Sequence, residues 1–127
     1  MFKPIITILT GVSFDDCQAN IKKWGCADIA TFSLDREPNN PHDPNAVCVS
    51  LFGLHKMGYL PKAVAKSIAP FMDEGRTFIA EFVCRNECSS YDMVGLTVRI
   101  VETTEYQMGQ ENSILITKIN EVKEEVL

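Results

Sequence analysis

Long apolar runs are missing from this chain of 127 residues. No stretch reaches the ~18–20 apolar residues that a membrane-spanning helix needs, so no membrane association is expected. The start, Met1-Phe2-Lys3-Pro4-Ile5, has no charged leader, extended apolar segment or small-residue cleavage site, which argues against a secretory signal. Cysteine is scarce: five, an odd number at irregular spacing, do not make a disulfide framework, and a cytoplasmic location is expected. A phosphate-cradling G-x-x-x-x-G-K loop is absent, which excludes an ATPase motor of that type. Cys84 and Cys88 stand in a C-x₃-C spacing, and the histidines are His42 and His55. With no second paired ligand motif, neither zinc nor any other cofactor is expected. No helix start or activating base stands beside any cysteine, so the chain reads as non-enzymatic.

Positive surplus is the other absence. Net charge is −5, and its distribution matters more than its sum. From Glu102 to Leu127 six acids face two lysines, whereas residues 1 to 101 carry eleven acids and ten bases. The body is nearly neutral and the acidity belongs to the tail, so no strong electrostatic footprint for a polyanion exists. An apolar fraction of 46% and a charged fraction of 23% are ordinary for a globular protein of one domain.

What the chain does have is a shaped polar run, Arg36-Glu37-Pro38-Asn39-Asn40-Pro41-His42-Asp43-Pro44-Asn45-Ala46-Val47. Its three prolines fix φ and bias the residues before them toward extended conformations. Its asparagines and aspartate satisfy backbone groups in turns. Too polar for a core and too rigid for a linker, the run reads as a surface loop presenting side chains, where binding residues concentrate.

Around it, hydrophobic periodicity predicts the elements. Ile5–Thr10 reads as a strand ending at Gly11, and Cys17, Ile21 and Trp24 have the four-three spacing of a helix. Asp15-Asp16 at its start, Lys22-Lys23 at its end and Gly25 beyond suit the helix dipole and cap. Ala27–Leu34, Ala46–Leu51 and Lys56–Leu60 read as strands, the last two joined through Phe52-Gly53-Leu54. Pro61 opens a helix with an apolar face on Val64, Ala65, Ile68, Ala69, Phe71 and Met72, closed by Asp73-Glu74-Gly75 despite Pro70. Arg76–Arg85 and Met93–Val101 read as two long strands. In the tail, the spacing of Leu115, Ile119, Val122 and Val126 fits a short amphipathic helix, and Ile114–Thr117 alone fits an added strand. The order β-α-β-ββ-α-ββ points to a small α+β domain or a partly open barrel flanked by helices. We divide the chain into a domain over 1–102 and an acidic tail over 103–127.

Thr10-Gly11-Val12, the Arg-Glu-Pro-Asn-Asn-Pro-x-Asp-x-Asn-Ala block, Gly58-Tyr59-Leu60-Pro61-Lys62 and Ile68-Ala69-Pro70-Phe71 form an ordered set. Together they resemble the HIRAN domain, a module of SWI/SNF-type fork-remodelling enzymes that also occurs alone in small bacterial and phage-type proteins. The resemblance covers roughly Thr10 to Val101. It implies an OB-like small β-barrel of about six strands with two flanking helices, and binding of single-stranded DNA at a free 3′-hydroxyl end. Matching motif positions places the implied DNA-binding residues at Asn40, His42, Asp43, Tyr59 and Lys62. Ser13 and Phe14 follow the first strand, and Tyr91 matches a further stacking aromatic.

The chemistry suits such a site. An ionised Asp43 accepts a hydrogen bond from a sugar hydroxyl and repels a terminal phosphate. Phe14, His42, Tyr59 and Tyr91 are aromatic platforms for a terminal base, and Lys62 at a helix start meets a backbone phosphate. Ser13 departs from the DNA-binding members of the family, which carry an arginine there, and Phe14 keeps the aromatic but lacks a tyrosine hydroxyl. Losing that guanidinium predicts weaker binding and a shallower salt dependence. The resemblance implies a DNA repair or replication accessory that works beside a helicase or nuclease. The alternative is a protein-interaction adaptor on the same fold that has lost DNA binding, with the tail's apolar seam as a dimer or docking surface.

Overall fold

The computed structural model describes residues 2–87 and 93–103, and its elements follow the expected order. They are β1 (Ile5–Ile8), α1 (Cys17–Trp24), β2 (Thr31–Arg36), β3 (Val47–Leu51), β4 (His55–Tyr59), α2 (Lys62–Asp73), β5 (Thr77–Glu87) and β6 (Val94–Thr103). The strands form one six-stranded sheet in the order β1-β6-β5-β2-β3-β4, antiparallel throughout. Alternation drives it: along β6, Val94, Leu96, Val98 and Ile100 point into the core while Gly95, Thr97 and Arg99 do not. These side chains meet Phe32, Val47, Val49, Leu51 and Met57, together with Ile21 and Trp24 of α1 and Ala65 and Ile68 of α2.

The sheet curls into a half-barrel, and its two edges meet at one point. Past Ile8 the Leu9 amide still donates to the Leu96 carbonyl of β6 at 3.0 Å; the chain then leaves β6, with Leu9 buried, and swings Thr10 onto the other edge strand. There Thr10 and Tyr59 exchange two backbone hydrogen bonds of 2.8 Å. This switch of partner explains why β1 stops at Ile8 rather than running to Thr10. Register shifts at Val49/Ser50 in the β3–β4 ladder and at Phe82/Cys84 in the β5–β6 ladder supply local curvature. Gly58 is required at the closure, because a Cβ there would lie 2.8 Å from the Thr10 carbonyl oxygen.

Other boundaries moved for local reasons. Residues after α1 form turns, with Cys26 N–H donating to the Trp24 carbonyl and Ile29 N–H to that of Cys26, so β2 begins at Thr31 rather than Ala27. It runs on to Arg36 because that residue pairs with Val47 across the loop base. Pro61 is the N-cap of α2 rather than its first residue. Pro70 lies inside the helix, one turn before its end, and removes the one ladder bond that an amide there would give the Lys66 carbonyl. The expected tail conformations and Tyr91 fall outside the described residues. No described helix is long and apolar enough to cross a membrane.

Candidate functional site

The Pro-rich loop folds by its own chemistry. Glu37 N–H donates to the Ala46 carbonyl across its base at 2.9 Å. Inside, Asn40 Oδ1 accepts from the His42 and Asp43 amides at 2.9 and 3.2 Å, and Asn40 Nδ2 donates to Glu37 Oε1 at 3.0 Å. Asp43 Oδ1 accepts from the Asn45 amide at 2.9 Å, an Asx turn that leaves Oδ2 over. Arg36 clamps the loop from below, donating to the Pro44 and Ala46 carbonyls at 3.1 Å and pairing with Asp73 at the end of α2. That guanidinium holds the Asp73 carboxyl below its ordinary value.

Opposite the loop stands the turn between Thr10 and α1. Phe14 N–H donates to the Gly11 carbonyl, and Gly11 and Asp15 adopt φ of +64° and +52°. Gly11 lies against Tyr59, since a Cβ there would sit 3.3 Å from Tyr59 Cδ1. Gln18 holds the turn to β6 by donating to the Val12 and Val94 carbonyls at 2.8 Å and accepting from the Val94 amide. Phe14 projects outward, 68% exposed. An aromatic ring that open costs hydration and is available for stacking.

Between these walls lies a pocket of about 700 Å³, lined by Phe14, Asn40, His42, Asp43, Tyr59 and Lys62 together with Thr10, Gly11, Asp15, Ala46 and Leu60. Six of the eight residues expected from sequence therefore share one cavity. Ser13 does not line it: it is exposed on the Gly11–Asp15 turn. Tyr91 lies outside the described residues. Lys62 begins α2, exposed at the rim.

Sequence reasoning passed over three residues bonded to one another through Tyr59: Glu37 and Lys56, which lie behind the lining, and Asp15, which lines the pocket on the turn. The Tyr59 hydroxyl donates to Glu37 Oε1 and Oε2 at 2.8 and 3.0 Å and accepts from Lys56 Nζ at 3.1 Å. Lys56 also pairs with Asp15 Oδ2 at 3.2 Å. Burial, then the Glu37 bond, push the Tyr59 phenol up, while hydrogen bonding to Tyr59 holds Lys56 well above the ordinary lysine value. Lys56 is therefore a cation and Tyr59 a neutral phenol, whose hydroxyl is spent inside the protein. Asp15 and Asp16 looked like capping acids, but the N-cap Asp16 makes no side-chain cap bond and Asp15 is turned toward Lys56.

The thiols have other surroundings. Burial raises Cys48 to about 12 and also raises Cys17, the reverse of an activated nucleophile. Cys84 Sγ rests 3.2 Å from Asn86 Oδ1, and Cys88 lies outside the described residues. His55 stacks on Trp24 with ring centroids 5.1 Å apart, whereas His42 stands on the pocket wall. Among the described residues no group of three or more His, Cys, Asp or Glu is placed to hold a metal ion.

Known proteins share this arrangement of the chain. Helicase-like transcription factor of Oryctolagus cuniculus is 46% identical over 41 residues, a match that takes in 32% of this chain and 4% of that protein. The crystal structure of a Lactobacillus plantarum protein superposes with a TM-score of 0.58 at 20% identity, covering 80% of this chain and 98% of the other. That of the HIRAN domain of human HLTF superposes with a TM-score of 0.55 at 18% identity, covering 91% and 88%. At these identities the two structures speak for the fold, a six-stranded half-barrel with two helices. The family model of the HIRAN domain matches residues 27–103, from the turn before β2 to the last residue of β6. With more than half of its length matched, the chain belongs to the HIRAN domain family.

Proposed function

We propose that this protein is a non-enzymatic nucleic-acid-binding module that receives the 3′-hydroxyl end of single-stranded DNA in the pocket between the Pro-rich loop and the Gly11–Asp15 turn. The observation that carries this reading is the shared cavity: an open aromatic, a carboxylate with one oxygen to spare and an exposed lysine face the same space. Phe14 stacks the terminal base, and His42 supports it from the opposite wall. Asp43 Oδ2 accepts from the 3′-hydroxyl and repels a 3′-phosphate. Lys62 meets the preceding phosphate. Tyr59 contributes its ring alone, because its hydroxyl is committed to Glu37 and Lys56.

A short labelled oligonucleotide ending in a 3′-hydroxyl should bind at least tenfold tighter than its 3′-phosphate twin, a difference of about 1.4 kcal/mol. Asp43→Ala should level the two, and Phe14→Ala should weaken both by about 1–3 kcal/mol. Equal affinity for the two ends in the wild-type protein removes end recognition.

A second reading, an adaptor that engages a helicase or nuclease and no longer binds DNA, is favoured by the charge around the cavity. Among the described residues Lys62 is the sole cation lining it, against Asp15 and Asp43, and Ser13 adds none. No measurable oligonucleotide binding at low salt, where phosphate contacts are strongest, selects this reading.

A further inference from the structure

The two walls of the pocket belong to segments far apart in sequence, and one hydrogen-bonded chain runs between them. It starts at Asp15 on the turn, passes to Lys56 at 3.2 Å, to the Tyr59 hydroxyl at 3.1 Å, and to Glu37 at 2.8 Å. From Glu37 it continues to the Asn40 side-chain amide at 3.0 Å, whose oxygen holds the His42 and Asp43 amides. Neither Lys56 nor Glu37 lines the cavity, yet between them they contact the turn, the floor and the loop. We infer that Lys56 and Glu37 are positioning residues: they lock the His42–Asp43 wall to the Phe14–Asp15 wall through Tyr59 and so set the pocket's shape for its ligand.

Charge makes the relay more than a spacer. Glu37 and Asp15 place two carboxylates near a cavity that already presents Asp43, and Lys56 lies between those two. Removing the ammonium leaves the Asp15 carboxylate without its ion-pair partner on the pocket wall and frees the Tyr59 hydroxyl from one partner. Removing the Glu37 carboxylate's charge weakens both the phenol bond and the Asn40 bond, since bonds to an ionised acceptor are the stronger kind.

The ligand side of this inference rests on the proposed binding of a DNA end, whereas the relay itself is measurable without DNA. Hydrogen exchange of the His42 and Asp43 backbone amides, followed by NMR, reports the far end of the chain. In Lys56→Met, Glu37→Gln and Tyr59→Phe these two amides should exchange about tenfold faster, the loss of one ordinary hydrogen bond's worth of protection. Buried amides in the β5–β6 ladder, such as Ile100, should be unchanged. Lys56→Arg, which keeps the cation and a donor, should restore slow exchange. Where the wild type prefers the 3′-hydroxyl oligonucleotide, Lys56→Met should cut that preference about tenfold, with recovery in Lys56→Arg. Unchanged exchange at His42 and Asp43 in both Lys56→Met and Tyr59→Phe overturns the relay. A wild type that does not distinguish the two oligonucleotides overturns the end-binding reading alone, and exchange still decides the positioning role.

Discussion

The two walls of the pocket are built by opposite means. The Pro-rich loop closes on bonds between residues two or three apart: Asn40 to Glu37, the His42 and Asp43 amides to Asn40, the Asn45 amide to Asp43. The floor and the facing turn depend on partners distant in the chain. Thr10 and Tyr59 are 49 residues apart, Lys56 and Asp15 41, and Tyr59 and Glu37 22. A wall made of local bonds has its shape set from within, and its ties to the rest of the fold are few, the Tyr59–Glu37 bond and the Arg36–Asp73 pair among them. A wall made of long-range bonds exists only when the half-barrel has closed.

That contrast can be broken most forcefully at the closure. Gly58→Val places a Cβ only 2.8 Å from the Thr10 carbonyl oxygen, on a residue with φ of +156°. A loss of about 2–3 kcal/mol is expected, read as a lowered midpoint of urea unfolding with an unchanged slope. The Thr10–Tyr59 pairing and the turn wall should be lost before the loop's own bonds. On the local wall, Asn40→Ala removes three hydrogen bonds, all to residues within three positions of it. A smaller loss, about 1–2 kcal/mol, is expected in the same measurement, with NMR shifts confined to residues 37 to 46 and to the Lys56–Tyr59 end of the relay. If those shifts spread to β1 or β6, the loop is not self-contained.

The smallest effect is an acid one. Arg36 holds the Asp73 carboxyl below its ordinary 3.8, so ionised Asp73 favours the folded state at pH above that value. The contribution disappears as pH falls through the lower folded value. Asp73→Asn should flatten this part of the stability-versus-pH curve by lowering stability slightly at neutral pH and leaving it unchanged at acid pH; the effect is small because the Asp73 carboxylate is exposed.

Lys56 shows why part of the site was hidden from sequence reasoning. In a regular strand, residues 56 and 59 point to opposite faces, since side chains alternate. The register shift in the β3–β4 ladder pairs Val49 with Gly58 and Ser50 with Lys56, so one extra residue enters β4. That bulge returns Lys56 to the Tyr59 side, where Nζ reaches the hydroxyl. No spacing rule applied to His55-Lys56-Met57-Gly58-Tyr59 signals it. Asp15 was misleading for a related reason. An acid before a helix reads as a cap, but its left-handed backbone turns it away from α1 and toward Lys56.

By contrast, periodicity sufficed for α1 and α2, whose buried residues fall on the expected faces. The loop's character was legible because prolines and Asx residues act on their immediate neighbours. Glu37 was visible as a loop residue but not as a partner of Tyr59, because that bond forms only after β2 and β4 flank β3.

By itself, the amino-acid sequence determined the order of elements, the faces they bury, the rigid loop and the family motif, all consequences of interactions within a few residues. Tertiary structure decided where the sheet closes, which side Lys56 occupies and how the loop meets the Thr10–Asp15 turn. Those outcomes depend on a strand changing partners and on a bulge resetting alternation. Both are properties of paired chains, which a single strand does not encode.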